Sequence, residues 1–292
     1  MINNEFRKQI RDMSNFTSIP QLPEFAVGVE HRAKKIISNI ERRYRKNIVE
    51  DLKSDSTIIH VRENNYNGRK VIQFQARTGG CNMKKCGSCW NCNYGIKENS
   101  TVDAKEYIKE FESLISKYQG DTLVMEAMGS VTDGKEFPRE ALLPMIDIAL
   151  KKGDFKSLTL ETHITQIDEA LVKYINEKNL ELPEDERKRI SFEVGIEDFN
   201  PGNRKLINKM GVTNNRIKQV YDMLDTYGIG LDTNLIYGFP FQTEDERINA
   251  MAENIKFAKE NLPNAGVIMF LMSIKDNTIM RTYARKRTLQ TT

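Results

Sequence analysis

Short β-rich runs near residues 70–77, 121–128, 157–162, 189–196, 229–237 and 265–272 alternate with helical segments near 102–118, 138–152, 166–178, 213–227 and 243–261. No other feature of the sequence restricts its fold so far. Two parallel strands need a long crossover between them, and a helix supplies it, so the alternation predicts βαβ units. Six such strands predict an α/β protein built as a partial (β/α)6 TIM-like barrel; an open doubly wound sheet satisfies the same alternation. The chain has 292 residues, 39% hydrophobic and 29% charged, enough to bury a core.

Upstream of the alternation, residues 1–22 are polar and irregular. Val29, Ala33, Ile36, Ile37, Ile40, Tyr44 and Ile48 then recur at helical spacing, opposite Arg32, Lys34, Lys35, Arg42, Arg43, Arg45 and Lys46. That basic face reads as a solvated helix surface, with contact to phosphates as the alternative. The stretches TIIHVRE, NNYNG and RKVIQFQA read as a β-hairpin turning at Asn67–Gly68. The chain therefore divides into a helical and hairpin extension, 1–69, and a barrel, 70–292.

The net charge of +3 is too small to argue for nucleic acid by itself. No apolar run approaches the ~20 residues of a membrane span; the longest, Val267 to Met272, reads as a buried strand. The opening MINNEFRKQIRDM has no apolar core of a signal peptide, so a cytoplasmic protein without membrane contact is expected.

The predicted strands have two chemical faces. Glu126, Glu161, Glu193, Asp232 and Asn234 alternate with apolar neighbours such as Leu158, Leu160, Phe192, Val194, Leu231 and Leu235. In a barrel wrapped by helices the apolar set faces outward and the polar set faces the lumen. Buried polar groups need partners, which a polar ligand, internal ion pairs or buried water would supply.

All four cysteines, Cys81, Cys86, Cys89 and Cys92, fall within twelve consecutive positions, in the loop after the first barrel strand. Active sites of such folds collect at the C-terminal ends of strands. In a reducing compartment a tight cysteine cluster is metal-binding or catalytic rather than disulfide-bonded. A structural zinc site needs four thiolates and usually draws them from two separated pairs. Consecutive short spacers of four, two and two residues suit an iron–sulfur cluster better, either closed by four cysteines or held by three with one iron open.

Five segments, in order, carry a resemblance to a known family: GGC…CWNCNYG, GSVTDGKEFP (129–138), LETH (160–163), FEVGIEDFN…INKMG (192–211) and NLIYGFPFQTEDE (234–246). On these the chain resembles the radical S-adenosylmethionine (SAM) enzymes, in the branch that contains the elongator catalytic subunit and the archaeosine-forming proteins. The likeness runs from about Arg77 to Thr278. It implies a [4Fe–4S] cluster, SAM as cosubstrate, and reductive cleavage of SAM to a 5′-deoxyadenosyl radical. The family's familiar C-x3-C-x2-C signature is absent. A longer first gap, then C-x2-C and an aromatic, fits Cys81, Cys89 and Cys92 with Tyr94, which leaves Cys86 spare; Cys81, Cys86 and Cys89 is the alternative set.

The same resemblance implies which residues meet SAM. The Gly129–Ser130 turn would lie beside its amino group, Glu161 and Glu197 would contact it, and Lys209 would pair with its carboxylate. Asn234 would sit near the ribose hydroxyls, and Ile236, Gly238, Phe239 and Pro240 would cradle adenine. His163 stands where similar proteins often have Arg, and is either a ligand contact or a structural hydrogen bonder. Asp133 and Glu136 match family positions too, but acids beginning a helix need no further reason. A reductant such as flavodoxin or ferredoxin would supply the electron. Substrates of two kinds stay open: tRNA or a nucleobase, gripped by the basic helix and by Arg281, Arg285, Lys286 and Arg287, or a small molecule or peptide. A non-catalytic iron–sulfur sensor or a zinc-binding module is the reading of another class.

Overall fold

A computed structural model of the chain describes residues 58–66, 68–78, 81, 103–127, 129–206, 212–239 and 242–272. Among them, seven strands form one sheet in the order β1 to β7. The strands are β1 (Ile59–Tyr66), β2 (Arg69–Ala76), β3 (Thr122–Ala127), β4 (Ser157–Thr162), β5 (Arg189–Glu197), β6 (Gly230–Tyr237) and β7 (Gly266–Leu271). The helices between them are α1 (Ala104–Ile115), α2 (Arg139–Lys152), α3 (Glu169–Leu180), α4 (Pro201–Leu206), α5 (Asn214–Thr226) and α6 (Glu244–Asn261). β1 runs antiparallel to β2, and every later pair is parallel. Spatial order equals chain order, as in a barrel; a doubly wound sheet reverses its order at a switch point. The sheet is a curled half-barrel of α/β type, as the alternation predicts.

The two chemical faces of the strands hold it in that form. Phe74, Met125, Leu160, Phe192 and Leu231 are register neighbours across β2 to β6, and each is at most 2% exposed. They share one core with Phe111 and Ile115 of α1, Leu142 and Ile146 of α2, Ile175 of α3 and Val220 of α5. Phe74 meets Phe111 edge-on, with ring centroids 5.2 Å apart. Each such side chain, fully buried, contributes roughly 1.5–3 kcal/mol. The other face carries the polar row, in which Gln75 pairs with Glu126, Glu161 with Glu193, Glu193 with Asp232, and Asp232 with Gly266.

Helix starts follow their capping residues. Asp103, Asp168 and Thr213 accept backbone N–H groups at the starts of α1, α3 and α5. Thr243 and Glu246 form a reciprocal capping box on α6. In the hairpin, the first strand runs on through Asn64, Asn65 and Tyr66, which the sequence suggests as turn. Asn64 Nδ2 donates to Gln73 Oε1 (2.6 Å) across the pair, the pairing runs to Tyr66 opposite Arg69, and Gly68 has φ +81°. One expectation fails. The run from Val267 is not a buried strand: β7 is the last strand of the sheet, and Val267, Phe270 and Leu271 are 42%, 48% and 66% exposed. No described helix follows it.

The end of β5 is irregular. The register slips between Gly195 and Glu197, and Glu197 adopts φ +68°, a left-handed conformation rare for a residue with a side chain. Directly after it, the buried Asp198 accepts from Asn200 N and Asn203 Nδ2, each at 2.7 Å. Arg204, also buried, donates to the Asp198 carbonyl (2.6 Å) and to Asn214 Oδ1 (2.9 Å), tying α4 and α5 to this corner. Asn254 of α6 closes it by accepting Phe199 N at 2.7 Å.

Burial pushes the Asp198 carboxyl up to about 6. Between its unfolded value, about 4, and its folded value the native state holds a proton the unfolded chain has lost, so this group's contribution to stability falls as pH rises through that window. Thermal unfolding of Asp198→Asn against the parent protein should therefore shift in the variant's favour as pH rises from about 4 to about 7. A difference independent of pH would contradict the assignment.

Candidate active site

The predicted site residues that the structure describes gather at the C-terminal ends of β2 to β6. Cys81 lies against Gly129: a Cβ placed on Gly129 would stand 2.6 Å from the Cys81 Cβ, 2.7 Å from its Sγ and 2.7 Å from Glu136 Oε2. Only glycine permits this approach of the cysteine loop to the end of β3. Upstream, the Tyr107 hydroxyl donates to the Arg77 carbonyl and pins the exit of β2 to α1.

Glu136 organises the turn. Its carboxylate accepts Gly129 N at 2.6 Å, Ser130 N at 3.1 Å and Thr78 Oγ1 at 3.1 Å. It thus joins the start of the cysteine loop to the Gly129–Ser130 turn, a role beyond that of a helix-start acid. Asp133 does behave as a local turn acid, accepting Lys135 N at 3.0 Å.

The hydroxyls beneath the turn form a directed chain. Thr132 Oγ1 donates to the Gln166 carbonyl (3.0 Å), so it must accept from Thr162 Oγ1 (2.5 Å). Thr162 must in turn accept from Ser130 Oγ (2.6 Å), which takes the His163 N–H at 3.3 Å. Both backbone donors of the turn and its hydroxyl proton are therefore committed. What it can still offer a ligand is acceptors, which suits a cationic group.

His163 caps the short turn after β4. Its Nδ1 is held by Thr165, 2.7 Å from Oγ1 and 3.3 Å from the backbone N, and the ring is only 7% exposed. Because Thr165 N donates to Nδ1, that nitrogen is the acceptor and Nε2 carries the proton in the neutral ring. Buried Nε2 has no hydrogen-bond partner among the described residues.

Glu161 lies on the luminal face of β4, and its carbonyl accepts Val131 N at 3.3 Å. Asn234, on β6, donates through Nδ2 to Glu193 Oε1 at 2.8 Å. Ile236 is half-buried two residues on, and Gly238 takes φ +94° to turn the chain out of β6. Phe239, 1% exposed, anchors that turn in the protein. Glu197, half-buried, stands at the irregular end of β5. Cys86, Cys89, Cys92, Tyr94, Lys209 and Pro240 lie outside the described residues. The sequence offered no sign of the Ser130–Thr132–Thr162 chain, since hydroxyl residues at strand ends have no distinguishing spacing. Among the described residues, no helix is long and apolar enough to cross a membrane.

No family model matches the chain, and no curated protein matches it. Solved structures do. The radical S-adenosylmethionine methyltransferase TsrM from Kitasatospora setae, with cobalamin and a [4Fe–4S] cluster bound, matches at 14% identity and a TM-score of 0.50 over 71% of this chain and 38% of its own. Methylornithine synthase (PylB) matches at 11% identity and a TM-score of 0.50 over 93% of this chain and 65% of its own. The archaeal Elp3 from Methanocaldococcus infernus matches at 14% identity and a TM-score of 0.43 over 64% and 45%. The chain thus spans less than two thirds of the length of TsrM or PylB, and the likeness is one of fold: this is the partial barrel of radical SAM enzymes.

The Gly129 contact is directly testable. Forcing a methyl group into a packed site costs ~1–3 kcal/mol. Gly129→Ala should therefore melt several degrees below the parent protein, while Gly134→Ala, with nothing within 4 Å of its added carbon, should melt with it. Equal melting of all three proteins in a thermal scan would remove the close approach of Cys81 from the account.

Proposed function

We propose that this chain, which has the fold of radical SAM enzymes, is one of them: Cys81, Cys89 and Cys92 hold a [4Fe–4S] cluster, and SAM binds at its open iron. The observation that carries the reading is the packing of Cys81 onto the Gly129–Ser130 turn at the mouth of the half-barrel. When bound, the cluster delivers the electron that splits SAM into methionine and a 5′-deoxyadenosyl radical. That chemistry belongs to the cofactors; the protein binds and orients them.

The residues present fit such a group. A turn whose donors are all committed to Glu136 and to Thr162 presents acceptors, as the SAM ammonium requires. Glu161 adds a carboxylate on the neighbouring strand, and Glu197 adds another from a backbone held in a strained conformation, a common property of binding sites. The SAM carboxylate falls to Lys209. The Asn234 side chain serves the ribose, and Ile236 with the turn Gly238–Phe239–Pro240 holds adenine. His163, fixed through Nδ1 and protonated at Nε2, offers one buried donor. Tyr94 packs beside the cluster. A small reductant such as flavodoxin or ferredoxin supplies the electron.

The ligand set can be checked by anaerobic reconstitution with iron and sulfide. Cys81→Ala, Cys89→Ala and Cys92→Ala should each lose the brown chromophore, and Cys86→Ala should keep it. Retention in Cys92→Ala with loss in Cys86→Ala would move the third ligand to Cys86. Zinc in place of iron and sulfide would end the reading.

A further inference from the structure

Beside the SAM-facing Glu161, the luminal face carries charges that the proposed cofactors do not use: Glu126 on β3, Glu193 on β5 and Asp232 on β6, with the register pairing Glu193 directly to Glu161 on one side and to Asp232 on the other. Glu126 is only 7% exposed, and its Oε1 has no hydrogen-bond partner among the described residues. Asn234 donates one amide hydrogen to Glu193 Oε1 (2.8 Å), which fixes that carboxylate among the others. Gly266 makes room for Asp232: a Cβ on Gly266 would sit 2.0 Å from Asp232 Oδ1.

These groups have one chemistry: all three are carboxylates, and the unpartnered Glu126 Oε1 is an acceptor. The Glu193 carboxyl is raised first by burial, against the lowering hydrogen bond from Asn234, and then by the charges of Asp232 and Glu126; no cation among the described residues offsets them. Carboxylates set side by side, one buried and two half-buried, are costly unless a positive charge joins them. A phosphate would be repelled. A neutral base or sugar would supply donors but leave the charge uncompensated. An ammonium has three donors and a guanidinium five, and both bind carboxylates through charge-assisted hydrogen bonds.

We propose that Glu126, Glu193 and Asp232 form the substrate subsite of the lumen and take an organic cation, a primary ammonium or a guanidinium group. The inference rests on the radical SAM reading, since it places the substrate beside SAM. It favours a small molecule or peptide bearing an amine or guanidine over a nucleic acid inserted by its phosphates.

The test uses the full chain, reconstituted without oxygen and saturated with SAM. Calorimetric titration with cadaverine and with agmatine is compared with titration of neutral 1-pentanol, and SAM affinity and 5′-deoxyadenosine release are followed in parallel. The parent protein should bind at least one cation and not the alcohol. Glu126→Gln and Glu193→Gln should bind that cation roughly tenfold more weakly, the scale of a lost charge-assisted contact, with SAM affinity unchanged. Both variants keep side-chain volume and remove mutual repulsion, so a melting temperature at or above the parent value confirms that they fold. A protein that releases 5′-deoxyadenosine but binds neither cation, or binds one equally well in the variants, overturns the subsite alone. Variants that lose affinity for SAM instead assign the row to the cosubstrate and overturn it as well. A protein with no cluster and no SAM cleavage removes the enzyme reading and this inference with it.

Discussion

Alternation along the parallel strands is the constraint on which the rest of this molecule depends. On β2 to β6 one side of each strand is apolar and meets helices; the other carries carboxylates or amides. A doubly wound sheet buries both of its faces under helices, and this sheet could do so only by placing Glu126, Glu161, Glu193 and Asp232 in a dry interface. Curling lets the apolar face wrap outward under α1 to α6 and gathers the polar face into a concavity. The concavity is thus a consequence of the same pattern that makes the core, and ligand binding there needs no separate architectural device.

The mouth of the concavity is built by using up donors. Glu136 takes both N–H groups of the Gly129–Ser130 turn, and the Ser130–Thr162–Thr132 chain takes the hydroxyl protons. What remains is rich in acceptors, above a row that is already acidic. On the proposed reading, the rim takes the ammonium of SAM and the lumen a cation of the substrate. His163 adds a buried Nε2 without a hydrogen-bond partner among the described residues. Asp198, Arg204 and Asn254 form a second polar group outside the lumen, and their work is to hold the irregular end of β5 so that Glu197 keeps its unusual backbone.

Much of this was legible in the residues, for reasons that can be named. A period of two is unambiguous when acids alternate with Leu, Phe and Val, so the orientation of Glu193 and Asp232 could be read before any coordinates. β4 and α6 stand within a residue of their expected bounds because Thr243 is a strong cap and Gly153 precedes the strand closely. The slip at Gly195–Glu197 could not be read, since GIE continues the alternation and a bulge leaves no mark in composition. Glu136 was ambiguous for another reason: an acid before a helix has a sufficient local explanation, and its partners lie 6, 7 and 58 residues away. The exposure of β7 was missed because an apolar run reads the same whether it lies inside a sheet or at its edge.

The central claim is that this half-barrel cleaves SAM. The direct measurement is 5′-deoxyadenosine release by the anaerobically reconstituted full chain supplied with SAM and dithionite. Release that depends on the cluster and disappears in Cys81→Ala is the predicted result. A protein that carries a full complement of iron and sulfide, binds SAM and yet releases none, even with cell extract as a source of substrate, would contradict it and leave an iron–sulfur protein that uses the barrel for binding alone.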